Sequence, residues 1–465
     1  MKVIRLKNLS SKDYQRIIRR SAGKNAEILP IVRKTMENIR KYGDKALIAD
    51  YKRKFGAQNY ESLLVSKKEI KQAYKEVSKE FLIGINQMIK NITAVHQAQL
   101  PRKKDTVVNS EKGISVWREW RPIEKVGLYI PGGKAVYPSS VLMTAIPAII
   151  AGCKEIIMCS PAREKGQIPF TTLVAADMIG LTKIYKIGGA QAIAAMIYGT
   201  ESIPNVYKIF GAGNAYVTAA KMLALETISI DMPAGPSEIF IIADETANPA
   251  YIAADLLADG EHGEDSACVL ITTSKKIADQ TIKEIEKQLS RLSTEARAKE
   301  SINKYGLFAI VDSLDEAIAF ANEYAPEHLE IMIKKPELLV KKITNAGSLF
   351  LGNWTAKSTG DYATGANHIL PTGGMAKMYP PLGVDAFGKW MQVQKCTKEG
   401  LEKIKNTIET IAQVEELPAH KNSVSIRFKK KKPFPTVSFS RPLLSFPRKR
   451  ESRTLLTTRK YRVTK

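Results

Sequence analysis

Residues 125–160 read KVGLYIPGGKAVYPSSVLMTAIPAIIAGCKEIIMCS and contain two strand-like runs separated by a segment of helical length. The first run, at 125–130, ends in a Pro-Gly-Gly turn, and the second occupies 155–159. Parallel strands cannot be joined by a tight hairpin and need a crossover connection, which is usually a helix. The stretch therefore predicts a βαβ unit and a parallel sheet.

The same pattern recurs along the chain. Strand-like runs at 184–188, 206–210 and 238–243 are separated by alanine-rich segments, and a second series of runs extends from 267 to 351. Two such series predict the α/β class with two doubly wound parallel sheets. Alternation over 106–121 predicts a hairpin, and apolar spacing of three and four predicts helices within 11–100 and near 398–415.

Composition fits a globular enzyme of two or more domains. The chain has 465 residues, of which 44% are hydrophobic and 25% charged. The longest apolar run, at 141–153, is too short to cross a bilayer, and the N-terminus lacks the apolar core of a signal peptide. Four cysteines without CxxC spacing predict a reducing, cytoplasmic setting without disulfides, and no membrane partner is expected.

The basic charge is concentrated at the C-terminus. Residues 429–465 carry 13 Lys or Arg residues and one acid, a net of +12 out of a total of +24. This segment has no helical or strand period and predicts a disordered tail. Nucleic-acid binding through the tail is the alternative from another functional class, disfavoured because the aromatic residues are scattered.

Four of the five histidines lie between 262 and 420, each near an acidic residue. Asp259 and His262 are three residues apart at the end of a predicted helix, so they project from one face and could form half of a zinc shell. A solvated histidine favoured by the helix dipole is the alternative. Glu327 and His328 lie on a predicted helix-to-strand connection, where they could divide acid and base duties or form a surface ion pair.

A polar loop at 360–374 holds two further candidates. Asp361 could be a hard oxygen ligand for a metal. His368 could be a ligand or could hold the loop in place, and the apolar residues that follow it favour the structural role. His96, in a long predicted helix, is expected to be solvated.

Three glycine turns follow predicted strands, beginning at Pro131, Gly188 and Gly211. Backbone N–H groups and a helix dipole at such turns can bind a pyrophosphate, although plain tight turns explain them as well. No G-x-G-x-x-G or Walker A motif is present. Three turns in successive units make a dinucleotide crevice plausible.

Several longer segments identify a family. They are GLYIPGGKAVYPSSVLM, IGGAQAIAAMIYGT, GAGNAYVTAAK, DMPAGPSE, EHGEDS, YAPEHLE, GDYATGANHILPTGG and AHKNSVSIR. In these segments, which extend over residues 10–428 or so in the same order, the chain resembles the histidinol dehydrogenases. Joint occurrence by chance is negligible.

The resemblance implies a zinc- and NAD-dependent homodimer that oxidises L-histidinol through L-histidinal to L-histidine with two NAD⁺, the last step of histidine biosynthesis. It implies two incomplete Rossmann-like domains with small helical arms in an intertwined dimer. The expected division is an N-terminal helical arm at 1–24, a catalytic domain at 25–105 and 237–380, an NAD domain at 106–236, a C-terminal arm at 381–428 that reaches the partner, and the tail.

The resemblance also implies roles for residues. The zinc ligands would be Asp259, His262, Asp361 and His420 of the partner subunit, and Glu327 and His328 would be the acid/base pair. Contacts to NAD would come from Tyr129, Gln191 and Asn214, and the substrate would be held by Ser237, His328, Glu415 and the zinc shell.

The chain departs from the family pattern where Asp259 replaces the usual Gln, which adds a full negative charge to the expected shell. The turn GAGN replaces the common GPGN near NAD. These departures leave open a zinc/NAD dehydrogenase of the same fold acting on another small alcohol, such as a sulfonated diol.

Overall fold

The computed structural model describes residues 1–20, 27–56, 60, 62–132, 135–233 and 235–429, and it shows an α/β protein with parallel sheets, as predicted. The predicted tail lies, from residue 430 onward, outside the described residues. The strands are β1 Val3–Arg5, β2 Val108–Glu111, β3 Ile114–Pro122, β4 Lys125–Tyr129, β5 Glu155–Cys159, β6 Lys183–Tyr185, β7 Lys208–Phe210, β8 Ser229–Ile230, β9 Glu238–Ala243, β10 Ala267–Thr272, β11 Leu307–Ile310, β12 His328–Met332, β13 Ser348–Leu351 and β14 Gly388–Cys396.

Helices connect most of these strands. They are α1 Ser11–Ile18, α2 Leu29–Phe55, α3 Lys67–Glu76, α4 Lys79–Ala98, α5 Pro138–Ala151, α6 Phe170–Met178, α7 Gly189–Tyr198, α8 Ala215–Ala224, α9 Pro249–Gly260, α10 Lys275–Leu289, α11 Glu295–Tyr305, α12 Leu314–Tyr324, α13 Lys357–Tyr362, α14 Lys398–Val414 and α15 Pro418–Phe428.

A five-stranded parallel sheet has the order β6-β5-β4-β7-β8, so the strand order reverses at β4. Successive side chains of a strand point to opposite faces. In β4, Val126 and Leu128 accordingly enter one buried cluster, and Tyr129 enters the other with Ile157 of β5. Burial on both faces explains why these strands read as continuous apolar runs.

A six-stranded parallel sheet has the order β1-β11-β10-β9-β12-β13. Its strands are buried on both faces, with Phe240 and Ile242 on one side and Ile239 and Ile241 on the other. Within the expected helical arm at 1–24, residues 3–5 form a strand that pairs with β11, and α1 follows it.

Helices α2, α3 and α4 pack against α7, α6 and α5 of the five-stranded sheet. Val32, Met36 and Ile39 of α2 lie in the same buried cluster as Ile193. The apolar face of α2 has its complement on α7 and α8. The grouping of residues 25–105 with 237–380 stays a prediction.

The chain divides into two compact units. Of the described residues, the larger unit contains those within 1–108 and 116–393, with both parallel sheets, and the smaller contains those within 109–115 and 394–429. A three-stranded sheet of order β14-β3-β2 confirms adjacent strands in the predicted hairpin region. In the smaller unit, α14 and α15 pack against each other. Throughout the described part of the chain, no helix combines the length and hydropathy needed to cross a membrane.

Candidate active site

A cluster of buried charged side chains lies at the amino-terminal edge of the six-stranded sheet. Glu238 and His328 begin β9 and β12, which are neighbouring parallel strands. Asp259 lies in the last turn of α9, just before the chain enters β10. Because a crossover helix runs back along its sheet, the C-terminal end of α9 meets the starts of these strands. The local break before His328 comes from Ala325, which ends α12 at a φ of 50°, and from Pro326.

The backbone of Glu238 orients the two predicted catalytic residues. Its N–H donates to Glu327 Oε2 at 2.9 Å, and its carbonyl accepts from His328 Nδ1 at 3.1 Å. A carbonyl only accepts hydrogen bonds, so Nδ1 carries the proton of the neutral imidazole. The lone pair of His328 is therefore on Nε2. That is the arrangement a general base needs.

Burial sets the protonation of this pair. Burial and then the Lys357 ammonium lower the pKa of His328 to about 4. Burial and then the Asp259 carboxylate raise the pKa of Glu327 well above its usual range. Desolvation disfavours the charged form in both cases. The site thus holds a neutral imidazole next to a carboxyl group with raised proton affinity, with 3.6 Å between His328 Nδ1 and Glu327 Oε2.

Glu238 is itself held by a buried guanidinium. Arg20 binds it through Nε to Oε1 at 2.7 Å and through Nη2 to Oε2 at 2.6 Å. The Arg20 guanidinium lies 3.4 Å from the centre of the Tyr324 ring, and Gly373 N donates to Glu238 Oε1 at 2.9 Å. This bidentate, charge-assisted contact fixes the residue from which the predicted catalytic pair takes its orientation.

Lys357 joins Asp259 and Asp361 in an ionised triad. Its Nζ lies 2.9 Å from Asp259 Oδ1 and 2.9 Å from Asp361 Oδ2, and the lysine is only 1% exposed. Burial alone would lower the pKa of Lys357, but the two carboxylates raise it above its ordinary value. Burial likewise opposes ionisation of both carboxylates, yet the ammonium keeps their pKa values low. Two carboxylates and one ammonium leave a net charge of −1.

Two histidines border the triad. His262 donates from Nδ1 to the carbonyl of Asp259 at 3.2 Å, and Nδ1 is 3.8 Å from Asp259 Oδ1. His368 donates from Nδ1 to the carbonyl of Asp361 at 3.2 Å and accepts from Ser140 Oγ at Nε2, 3.1 Å away. His368 thus ties the loop of the six-stranded sheet to α5 of the five-stranded sheet. The contacts are those expected of the structural role favoured for His368.

A second pair of acids lies behind the triad. Asp255 accepts from the Lys357 backbone N–H at 3.3 Å and is 6% exposed, and Glu330 is 1% exposed. Burial raises the pKa of Asp255 to about 6. Burial, together with the Asp255 charge, raises the pKa of Glu330 well above its usual range. Near neutral pH this pair carries one charge, because two adjacent buried carboxylates do not both ionise.

The three residues predicted to contact NAD gather at the carboxyl edge of the five-stranded sheet. Tyr129 ends β4, and its hydroxyl accepts from Gly189 N at 3.1 Å. Gln191 lies in the first turn of α7 and, with Gly188 and Gly189, lines a cleft of about 160 Å³. Asn214 caps α8 by accepting from the backbone N–H groups of the first turn. The crevice where strand order reverses is the usual ligand site of an open α/β sheet.

Gly211 shows why the turn after β7 needs glycine. Its φ is +111°, and a Cβ there would lie 2.0 Å from the carbonyl oxygen of Tyr129. Its N–H donates to Asp231 Oδ2 at 2.7 Å, and its carbonyl accepts from Lys221 Nζ at 2.8 Å. The backbone is therefore drawn close to β4 and fixed from behind. A turn of this kind fits a dinucleotide, whose phosphates need close backbone approach.

Three predicted substrate contacts or ligands remain, which are Ser237, Glu415 and His420. Ser237 is half-buried immediately before β9, and its carbonyl accepts from Ala267 N at 2.9 Å. Glu415 and His420 are exposed in the smaller unit, after α14 and in α15.

The expectation that His96 is solvated is wrong. It is fully buried, donates from Nδ1 to Ile92 O at 2.8 Å and accepts from Asn367 Nδ2 at 3.2 Å, because its side of α4 packs against α5.

Comparison with known proteins identifies the family. The family model described as histidinol dehydrogenase matches residues 18–428. The chain is 47% identical over 417 residues to the histidinol dehydrogenase of Caldanaerobacter subterraneus subsp. tengcongensis (89% of this chain, 96% of the relative), and 44% identical over 428 residues to that of Bacteroides fragilis (92% and 99%). The crystal structure of histidinol dehydrogenase from Elizabethkingia anophelis superposes with a TM-score of 0.86 at 44% identity, covering 92% of this chain and 97% of that one.

The chain belongs to the histidinol dehydrogenase family. The predicted enzyme class, a dehydrogenase of this family, is confirmed. Membership raises the question whether the residues present can hold the zinc that the resemblance implies.

The donor set does not fit the predicted zinc shell. Three of the four predicted ligands, Asp259, His262 and Asp361, do lie near one another, but the Lys357 ammonium occupies the position between the two carboxylates. A second possible group of ligand atoms, from Asp259, Glu327 and His328, lies within 4.8 Å of one another. It suits a metal poorly, because Glu327 Oε2 already accepts from the Glu238 N–H and His328 Nδ1 donates to the Glu238 carbonyl.

Sequence reasoning missed five buried charged residues, which are Arg20, Glu238, Asp255, Glu330 and Lys357. For Lys357 a signal existed, since it precedes Asp361 by four residues and the two share a helical turn. Arg20 gave none, because its partner Glu238 lies 218 residues away.

Proposed function

We propose that this chain is an NAD-dependent histidinol dehydrogenase that oxidises L-histidinol to L-histidine through L-histidinal with two NAD⁺, in the last step of histidine biosynthesis. Family membership supports the substrate class. The observation that carries the chemistry is the buried pair Glu327 and His328, in which Nδ1 of the imidazole donates to the Glu238 carbonyl and Nε2 is left as the base.

In the first oxidation, His328 Nε2 takes the hydroxyl proton while the carbon bearing that hydroxyl loses hydride. Bound NAD⁺ supplies the hydride acceptor in each of the two oxidations. Tyr129, Gln191 and Asn214 are the proposed contacts that hold the dinucleotide at the carboxyl edge of the five-stranded sheet. The lowered pKa of His328 keeps its ring neutral at neutral pH, so the base is available without prior deprotonation.

In the second oxidation, water must add to the aldehyde before hydride leaves. Glu327 is the proposed base for this addition. Its raised pKa makes its carboxylate a stronger base than an ordinary glutamate, and it requires the carboxyl group to lose its proton first. The aldehyde step should therefore accelerate as pH rises through the raised pKa of Glu327. His328 Nε2, after releasing the proton of the first oxidation to solvent, accepts the hydroxyl proton of the hydrate as the carbon loses its second hydride.

The substrate's amino group is a cation, and the triad has a net charge of −1. Asp259 and Asp361, together with Ser237, His262 and His328, are therefore the proposed substrate contacts. Glu415 is a further proposed substrate contact, and His420 of the partner subunit would complete the site in a homodimer. No step is assigned to zinc, because the residues do not fit the predicted shell. A cytoplasmic location remains a prediction from the cysteine pattern.

The test is turnover by the purified full-length chain with L-histidinol and NAD⁺, followed by NADH absorbance and by quantification of histidine. We expect two NADH per histidine formed and no accumulation of free histidinal. Absence of NADH formation with histidinol, in a folded protein that binds NAD⁺, would contradict the proposal.

A same-fold dehydrogenase for another small alcohol is the second candidate. Asp259 in place of the usual Gln, and the buried Lys357 beside it, are the observations that favour it. A panel that includes sulfonated diols separates the two, since a higher kcat/KM for a sulfonated diol than for histidinol would support the second candidate.

A further inference from the structure

We propose that the Lys357 ammonium is a built-in cation that takes the place of a divalent metal between Asp259 and Asp361, so that this site does not hold zinc. Nζ is equally distant, at 2.9 Å, from one oxygen of each carboxylate. Two of the four ligands that the resemblance assigns to zinc are thus already bridged by a positive charge of the chain itself.

The ammonium is held in place from several directions. The side chains of Lys357, Asp259 and Asp361 are 2%, 0% and 11% exposed. Lys357 and Asp361 share one helical turn of α13, and the Lys357 backbone N–H donates to Asp255 Oδ1. A buried ammonium that left this position would abandon two ion pairs and leave two uncompensated carboxylates, which is strongly unfavourable.

Electrostatics opposes simultaneous occupancy by zinc. Consider a divalent ion about 4 Å from an ammonium at an effective dielectric constant of about 20. Its dissociation constant from these ligands would be higher by roughly five to six powers of ten than in the absence of the ammonium. Zinc would therefore have to displace Lys357 before it could use both carboxylates.

The charges of Asp259 and Lys357 compensate each other. Asp259 adds one negative charge to a buried site, and Lys357 adds one positive charge within 2.9 Å of it. The cation that orients the carboxylates is thus supplied by the chain itself.

This inference deepens the proposed function but is measured without turnover. The full-length chain is loaded with excess zinc, desalted into metal-free buffer and assayed for zinc by mass spectrometry. Thermal unfolding is followed with added chelator and with added zinc. We expect less than about a tenth of an equivalent of zinc per chain and no change in Tm, because a ligand that does not bind the native state does not stabilise it.

The charge-balanced double variant Asp259→Gln/Lys357→Met removes the ammonium and introduces a neutral amide ligand. We expect it to retain about one zinc per chain and to gain a zinc-dependent rise in Tm. The matched control is Lys275→Met, which removes an exposed lysine with the same i,i+4 spacing to an aspartate and should leave zinc content and Tm response unchanged.

One tightly held zinc per wild-type chain, with Tm lowered by chelator, would overturn the inference. So would a folded double variant that binds no more zinc than the wild type. If the double variant does not fold, the wild-type measurements decide alone. A zinc-free wild type that fails to oxidise histidinol would refute the proposed function and leave this inference standing.

Discussion

Replacing Arg20 should impair both stability and catalysis, although Arg20 is not proposed to touch the substrate. Arg20→Met leaves the Glu238 carboxylate, 2% exposed, without the two charge-assisted contacts of 2.6 and 2.7 Å. Removing one partner of a buried pair costs about 3–5 kcal/mol. In the double variant Arg20→Met/Glu238→Gln no charge is left unpaired, so we expect a smaller loss than in Arg20→Met and a coupling of about 2–3 kcal/mol.

The assay is urea unfolding of the two single variants and the double variant at neutral pH. The control is Arg5→Met, which breaks an Arg–Asp pair whose side chains are 53% and 56% exposed. An exposed pair should contribute about 0–1 kcal/mol. An Arg20→Met effect no larger than that of Arg5→Met would refute the reasoning.

The catalytic consequence is separable from stability. Because the Glu238 backbone orients Glu327 and His328, its displacement should lower kcat by about 10- to 100-fold under conditions where the variant is fully folded. The KM for NAD⁺ should be unchanged, since the proposed dinucleotide contacts lie on the other sheet. Unchanged kcat in folded Arg20→Met would remove Arg20 from this positioning role.

Three further predictions test other parts of the site. Glu327→Gln should spare alcohol oxidation and slow the aldehyde step by about 10²–10⁴-fold; equal losses with histidinol and histidinal as substrates would contradict its role. Folding raises the pKa of the Asp255 carboxyl from 3.8 to about 6. The protonated carboxyl therefore contributes fully to the free energy of unfolding below pH 3.8, and this contribution is lost as pH rises through 6. The difference in free energy of unfolding between Asp255→Asn and wild type should therefore shift by about 3 kcal/mol in favour of the variant as pH rises through that window. Urea unfolding of both proteins at the two pH limits would test this. Gly211→Ala, whose Cβ would lie 2.0 Å from Tyr129 O, should weaken NADH binding about tenfold or more, and unchanged affinity in a fluorescence titration would sink the proposed turn.

The fold could be predicted from the sequence because its main signal is local. The continuous apolar character of runs such as 125–130 and 155–159 predicts buried parallel strands. In the structure these runs form β4 and β5. The strand at residues 3–5 gave no such signal. It is three residues long, and its partner β11 begins more than 300 residues later, so only the tertiary fold defines it.

The candidate site was only partly predictable. Glu327 and His328 were identified from their position between a helix and a strand, and the structure buries both at the start of β12. Their orientation was not predictable, because it depends on the Glu238 backbone. Hydrogen bonds between segments about 90 residues apart leave no period or motif in the sequence.

Asp259 shows how a single position can mislead. Considered alone, an aspartate here predicts an anionic ligand in a zinc shell, because a carboxylate carries a full negative charge. Considered with Lys357, whose ammonium lies 2.9 Å away, the same aspartate is half of an internal ion pair. The two readings predict opposite metal contents from the same residue. The charge of Lys357, 98 positions further along the chain, decides between the two interpretations. The metal affinity of this site therefore depends on Asp259 and Lys357 together rather than on either residue alone.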